Sequence, residues 1–390
     1  INAFATSGGY VYISRGILAL MESEAELAAV LGHEIGHITA LHVTQKRVNS
    51  TITGIGAVVL GAVLGPGADQ LANIAGQTYL AGYSRAKETE ADELGLRYME
   101  RAGYELHAAT TFFEKLAKES DIAAKESGQT GSHYSLLSSH PETKQRIQHT
   151  KELADKSANK GFIQNREAHL KAIDGIHFGD TPKFGTIIDN GFFLPTYKVK
   201  FSVPKDFILK NGDEAVIAYD KDNLNASVVF NLEKNIYATY SPHDFLRDRY
   251  AGKLKLNNLE EIEINGLKAA TANARVNTKN GERDARYVMI FSPEYIYKLT
   301  FLTEPKSTTQ YNEDFRRITY SLEQMNEREI ATFKGLEVGI FEVTKNAKKE
   351  DFVQKMRISN YAEDWFNALN NEALKDGLQT GEKVKVITVK

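Results

Sequence analysis

The run EAELAAVLGHEIGHITALH, residues 24–42, decides how the rest of the chain is read. Ser23 followed three positions later by Glu26 has the form of a capping box. Leu27, Val30, Leu31, Ile35, Ile38 and Leu41 then recur at helical spacing, so the stretch is expected as a buried amphipathic helix with an apolar stripe. Residues four apart on a helix lie above one another on one face. His33 and His37 can therefore point two imidazoles at one metal ion, with Glu34 beside them, which is the H-E-x-x-H spacing of zinc peptidases. The alternative is two core histidines that flank a glutamate.

Composition bounds what surrounds this helix. The chain has 390 residues, 42% hydrophobic and 25% charged, which describes globular sequence too long for one ordinary core, so two or three domains are expected. A net charge of -3 leaves no basic footprint, and no nucleic-acid partner is expected. With no cysteine, disulfides, thiolate zinc sites and a thiol nucleophile are excluded, and any metal must be held by histidine and carboxylate. The numbering opens at Ile1 in structured-looking sequence and reads as starting inside a longer precursor. Residues 51–66, TITGIGAVVLGAVLGP, are too short for a spanning helix of about 20 residues and read as a glycine-containing apolar loop or hairpin near the site, so no transmembrane span is expected.

Upstream of the helix, Gly8-Gly9 reads as a turn and residues 10–14, YVYIS, as a strand. The strand is either an edge that pairs with an extended substrate or an ordinary internal strand. Downstream, residues 72–102 have a second helical pattern, with Gly103 placed as a C-cap. Glu88 and Asp92 are four apart and share a face, while Glu90 points elsewhere. A two-histidine zinc site needs a third protein ligand and an open position, which Glu88 can supply; Asp92 then lies where it can accept a hydrogen bond from a ligand imidazole. The competing reading of Glu88, Glu90 and Asp92 is the solvated face of a charged helix. His42 does not complete a metzincin site, because it follows His37 by five positions rather than six and no glycine intervenes. It reads either as a buried histidine or as one that stands behind the ligands.

Five segments in order, INAFA (1–5), GGYVYISRGIL (8–18), ELAAVLGHEIGHITALH (26–42), SRAKETEADELG (84–95) and SSHPETKQRI (138–147), resemble the soluble bacterial branch of metallopeptidase family 48. Relatives in that family of gluzincins include BepA, HtpX and the CAAX prenyl proteases. The resemblance covers roughly residues 1 to 150 and implies one Zn2+ per chain held by His33, His37 and Glu88, with Asp92 behind them and Glu34 as general base. It also implies that His140, in the His140-Pro141 step, lies near the metal as a transition-state stabiliser or as an inhibitory fourth ligand. Arg146 is the matching basic residue on the following helix; a surface arginine is the alternative. By the same resemblance the chain is a zinc-dependent endopeptidase acting on protein or peptide substrates. Its expected place is the bacterial periplasm, either free or associated with the outer membrane, in envelope quality control, with the export signal outside this chain.

The expected architecture is α+β and multidomain. Residues 1–155 form a mainly helical zincin-type peptidase domain with a small sheet, including a helix over 106–118 with Phe112, Phe113 and Leu116 inward, and a linker covers 156–189. Residues 190–328 alternate as strands at Tyr197, Val199, Phe201 and Val203 and again at Tyr295, Tyr297, Leu299 and Phe301, with helices near 244–252 and 312–325. They form an α+β accessory domain that loosely resembles PsbP- or Mog-like folds. Residues 329–390 resemble a LysM module, strand, two helices, strand, of the kind that binds peptidoglycan. Asn346-Ala347-Lys348-Lys349 replaces the usual G-D-T, and packing against the rest of the chain is the alternative. Two functional readings compete with the peptidase: a latent or chaperone-like protein autoinhibited by His140, and a cell-wall-binding protein. Possible partners are peptidoglycan or the outer-membrane assembly machinery.

Overall fold

The computed structural model describes all residues except 7, 46–81, 128–139, 141–143, 159–160, 213–214, 222–224, 238, 253, 279–280, 359, 372, 376 and 390. The apolar stretch 51–66, residues 72–81 of the expected second helix, and His133 lie outside the described residues. The chain divides into two compact units: residues 1–178, 337–356 and 361–388 make the first, and 179–336 with 357–360 the core of the second. Among the described residues no helix is long and apolar enough to cross a membrane.

In the first unit the antiparallel pair β1 (Ala3–Ala5) and β2 (Val11–Ile13) leads into helix α1 (Arg15–Leu20) and then α2 (Glu24–Thr39). There follow α3 (Arg85–Ala102), ended by Gly103 in the left-handed region, α4 (Ala108–Ser127), α5 (Lys144–Lys156) and α6 (Arg166–Ile173). Half of the expected capping box forms: Ser23 Oγ accepts from the Glu26 amide at 3.2 Å, but the Glu26 carboxylate reaches past Ser23 and accepts from the Glu22 amide at 2.7 Å.

The expected apolar stripe of α2 is corrected as well. Ile35 is 40% and Leu41 60% exposed, whereas the buried face is built from Ala25, Ala29, Val30, Gly32, His33, Glu34, Gly36 and His37. The reason is the crossing of α2 and α3. A Cβ added to Gly36 would meet the Ala91 carbonyl oxygen at 2.9 Å, one on Gly32 the Gly95 oxygen at 3.0 Å, and one on Gly95 the His33 nitrogen at 3.0 Å. Interaxial distance is set by the side chains at the contact, so three glycines let the backbones approach where larger residues would hold them apart.

The second unit contains a four-stranded sheet, β3 (Thr186–Ile188), β4 (Gly191–Leu194), β5 (Val199–Ser202) and β13 (Glu323–Gln324) in that order. Its larger sheet is antiparallel, in the order β6 (Phe207–Asn211), β7 (Val216–Asp220), β8 (Ala226–Lys234), β12 (Tyr295–Thr303), β11 (Gly281–Phe291), β10 (Leu267–Thr278) and β9 (Asn257–Ile264). Alternation decides its two faces. Tyr297, Leu299 and Phe301 join Tyr311, Phe315 and Ile318 of helix α7 (Thr308–Ser321), while Ile296 joins Phe245 and Met289 in a separate cluster. Tyr197, expected in the first strand, lies in a 3-10 turn before it.

The chain returns to the first unit with β14 (Glu337–Glu342), α8 (Lys349–Val353), α9 (Ala362–Leu369) and β15 (Lys383–Thr388), the two strands pairing antiparallel. The order is strand, helix, helix, strand, but the separate unit expected at 329–390 is instead part of the first unit's core. Ala368 packs in one cluster with Ile17, Leu20, Met21, Val30, Phe112 and Leu116. Lys385 is fully buried and donates to the carbonyls of Ala19, Leu20 and Met21 at 2.7, 3.1 and 2.5 Å. A helix end leaves carbonyls without intrahelical donors, and this ammonium supplies them for α1.

Candidate metal centre

Four turns of helix and one loop residue converge on a buried point. α2 contributes His33, Glu34 and His37, α3 contributes Glu88 and Asp92, and His140 enters just ahead of α5. His33 Nε2 lies 3.0 Å from His37 Nε2 and 3.5 Å from Glu88 Oε2, and His37 Nε2 lies 3.5 Å from Glu88 Oε1. His140 Nδ1 is 3.2 Å from both His33 Nε2 and Glu88 Oε1. One donor atom from each of His33, His37, Glu88 and His140 falls within 4.8 Å of the others, and all four residues are buried. A tetrahedral ion with bonds of about 2.0 Å has donors about 3.3 Å apart. The spacing and the chemistry of this donor set, imidazole plus carboxylate without sulfur, fit a zinc-sized ion.

The surrounding groups fix how these donors point. Asp92 Oδ1 lies 2.8 Å from His33 Nδ1, so the ring's other nitrogen faces the cluster. Asp92 in turn accepts from Arg146 Nε at 2.7 Å and Nη2 at 2.8 Å, and Arg146 Nη1 lies 2.9 Å from Glu88 Oε2. Arg146 is 4% exposed, so the surface alternative does not describe it. Its planar fork bridges two carboxylates, an arrangement an ammonium does not reproduce. Tyr83 stacks on His37 with ring centroids 4.0 Å apart.

Burial and these partners oppose each other electrostatically. Burial works against the His33 imidazolium, yet hydrogen bonds to Asp92 and Glu88 push its pKa up to about 10. Burial pushes His37 down to about 3, against the pull of Glu88. Burial would raise the Glu88 carboxyl, but hydrogen bonds from His140, His33 and His37 hold it far below the usual carboxylate range. For Asp92, Arg146 and His33 likewise overcome burial and lower it. The centre therefore carries two ionised carboxylates in a low-dielectric place, an environment made for cations. Glu34 Oε1 is different: it is buried, has no hydrogen-bond partner among the described residues, and lies 3.6 Å from His140 Nε2. A buried acceptor left in that condition costs about 1–3 kcal/mol, so Oε1 has unused acceptor capacity beside the cluster.

Residues 1–154 match the sequence model of Peptidase family M48. The resemblance to that family thus lies in this segment. It is 34% identical over 167 residues to the putative beta-barrel assembly-enhancing protease of Vibrio cholerae, an alignment covering 40% of this chain and 32% of that protein. It is 37% identical over 155 residues to the mitochondrial metalloendopeptidase OMA1 of Schizosaccharomyces pombe, covering 39% of this chain and 43% of that one. The chain thus spans less than half the length of either relative. Cyanobacterial PsbP of Synechocystis aligns with 38% of this chain and 98% of its own at 12% identity, with a TM-score of 0.29, too low to support any statement about fold.

The matched segment brings together all the residues singled out for the site: His33, Glu34, His37, Glu88, Asp92 and His140. Two further features escaped the sequence reading. The glycines of the α2–α3 crossing carried a signal, since Gly32 and Gly36 sit one turn apart inside a helix where each glycine is about 1 kcal/mol less favourable than alanine. Glu90, read as pointing elsewhere, reaches the buried His42.

Proposed function

We propose that this chain is a zinc-dependent endopeptidase that hydrolyses protein substrates. Convergence of His33 Nε2, His37 Nε2 and the Glu88 carboxylate beside the unpartnered Glu34 oxygen is the observation that carries the reading. His33, His37 and Glu88 would hold the ion, which when bound polarises a peptide carbonyl and acidifies a water molecule. Glu34 takes the proton of the attacking water on Oε1 and delivers it to the leaving nitrogen. Asp92, clamped by Arg146, keeps His33 in the tautomer whose Nε2 faces the ion. The relatives' printed names, a protease and a metalloendopeptidase, support protein substrates, and the bacterial one's name adds the enhancement of beta-barrel assembly, which fits a role in envelope quality control. We accordingly assign the chain to the periplasm, near outer-membrane assembly.

One observation favours a second state of the same site. His140 Nδ1 stands among the other donors at ligand spacing, which supports a latent form in which His140 fills the fourth position. Glycan binding by the LysM-like C-terminal segment rests on element order alone, and retention on purified peptidoglycan tests it. The decisive experiment digests unfolded casein with parent, Glu34→Gln and His140→Ala proteins at matched zinc content. Glu34→Gln is expected to keep zinc and fold while losing cleavage by a factor of about 100 or more. Parent-level cleavage by that variant would end the peptidase mechanism. Higher activity in His140→Ala than in the parent supports latency, and lower activity assigns His140 to the reaction instead.

A further inference from the structure

His33 and His37 both turn Nε2 toward the cluster, and each therefore presents Nδ1 outward. The partner of His33 Nδ1 is the Asp92 carboxylate. The partner of His37 Nδ1 is another imidazole: His42 Nδ1 lies 3.1 Å away, and His42 Nε2 lies 3.1 Å from Glu90 Oε2. His42 is 3% exposed, and Glu90 stands two residues beyond Glu88 on the same helix α3.

The protonation pattern follows from what each atom can do. A carboxylate oxygen accepts, so the contact with Glu90 places a hydrogen on His42 Nε2. With that hydrogen on Nε2, Nδ1 is the ring nitrogen left to accept. Two ring nitrogens facing each other need one hydrogen between them, so His37 Nδ1 donates it. That leaves the lone pair of His37 on Nε2, the atom that faces His33 and Glu88.

Backbone geometry supports a built arrangement. In a continuous helix a residue five positions on lies about 140° around the axis and would not face His37. Leu41 breaks the helix with φ 58, a left-handed conformation that side chains other than glycine, asparagine and aspartate rarely adopt, and it turns His42 back onto the ring. Strain of this kind persists where surrounding contacts hold it.

We propose that His42 and Glu90 form a positioning relay that fixes the tautomer and orientation of His37 for metal binding, the counterpart for His37 of what Asp92 does for His33. The proposal rests on reading His33, His37 and Glu88 as metal ligands. It also accounts for the five-residue spacing that excluded His42 as a ligand.

The test is zinc affinity by chelator competition, with the visible spectrum of the Co2+-substituted protein as a report on ligand geometry. His42→Asn keeps an acceptor oxygen where Nδ1 stands, and His42→Leu keeps bulk without one. The expected result is a zinc affinity loss of about 10- to 100-fold for His42→Leu, with an altered Co2+ spectrum, and affinity restored to within about threefold of the parent for His42→Asn. Glu90→Gln still accepts from His42 and is expected to stay near the parent, whereas Glu90→Lys donates and is expected to lose affinity. If His42→Leu fails to fold, the Glu90 pair, altered on an exposed side chain, decides the question alone. Equal affinity of parent and His42→Leu, equal loss in the Leu and Asn variants, or indifference to Glu90→Lys overturns the relay. A parent protein that takes up no zinc overturns the metal-ligand reading, and the relay falls with it.

Discussion

The two units fill their interiors with different materials. In the first, buried charged and titratable side chains crowd around α2: Glu22, Glu26, Lys115 and Lys385 at its N-terminal end, and His33, Glu34, His37, Glu88, Asp92 and Arg146 along its face. In the second, the buried charged side chain among the described residues is Asp220, held by the Tyr311 hydroxyl, and the core is otherwise aliphatic and aromatic apart from hydroxyl groups such as those of Thr186, Ser292, Thr303 and Thr319. Apolar burial contributes about 25 cal/mol per Å2 without demanding orientation. Buried ions are near neutral in stability and strict in geometry. The comparison teaches that the first unit gives up part of its available stability to hold polar groups in fixed positions, while the second is held together mainly by apolar packing.

The sharpest way to break the comparison is to make a large apolar lesion in the second unit. Phe301→Ala removes a fully buried ring that lies 4.6 Å from Phe315 and should destabilise that unit by about 3–5 kcal/mol, measured as a lower denaturant midpoint, with zinc uptake unchanged. A loss of zinc uptake at temperatures where the protein stays folded would mean that the polar and apolar interiors are not separable.

A smaller lesion in the first unit should have the opposite signature. Gly36→Ala adds one methyl against the Ala91 carbonyl oxygen at 2.9 Å and is expected to cost about 1–3 kcal/mol while lowering zinc affinity, because α2 must move away from Glu88 and Asp92. Equilibrium unfolding and chelator competition on the same variant measure both. Unchanged affinity would show that the donors tolerate a wider crossing.

The mildest effect is one of pH. Burial pushes Lys385 from its ordinary 10.5 down to about 7, with Lys115 and Arg166 adding to the shift and Glu22 and Glu26 opposing it. Between those two values the unfolded chain binds a proton that the folded chain lacks, so this group makes stability rise with pH, by up to about 1.4 kcal/mol per unit. The stability difference between parent and Lys385→Met, followed through the single tryptophan, Trp365, should therefore grow in the parent's favour from pH 7 to 9. A flat difference would mean that the three carbonyls at the end of α1 keep the ammonium charged throughout.

How much of this was legible in the sequence depended on whether the signal was local. The positions of His33, Glu34 and His37, and of Glu88 against Asp92, follow from helical periodicity, and alternation along 295–301 was enough to place one sheet. The exposed Ile35 and Leu41 were misread because hydrophobicity was taken to mark the buried side of α2, when that side is occupied by the site and by glycines. Arg146 was pointed to by the resemblance of its segment but not its burial, and the Glu90–His42 contact depends on a left-handed leucine that no local pattern announces. Nothing near Lys385 in sequence reveals that its partners are 364 to 366 residues away.

That last separation bears on how the protein is made. Residues 179–336 are inserted between the two parts of the first unit. During synthesis at about 5–20 residues per second, roughly 20–70 s pass between the emergence of α2 and that of β15. Throughout that interval the end of α1 lacks its ammonium, and the first unit waits for a strand not yet translated. Its core can close only after residues 179–336 have been made, so the cluster on α2 and α3 belongs to a unit whose completion is the last event of synthesis.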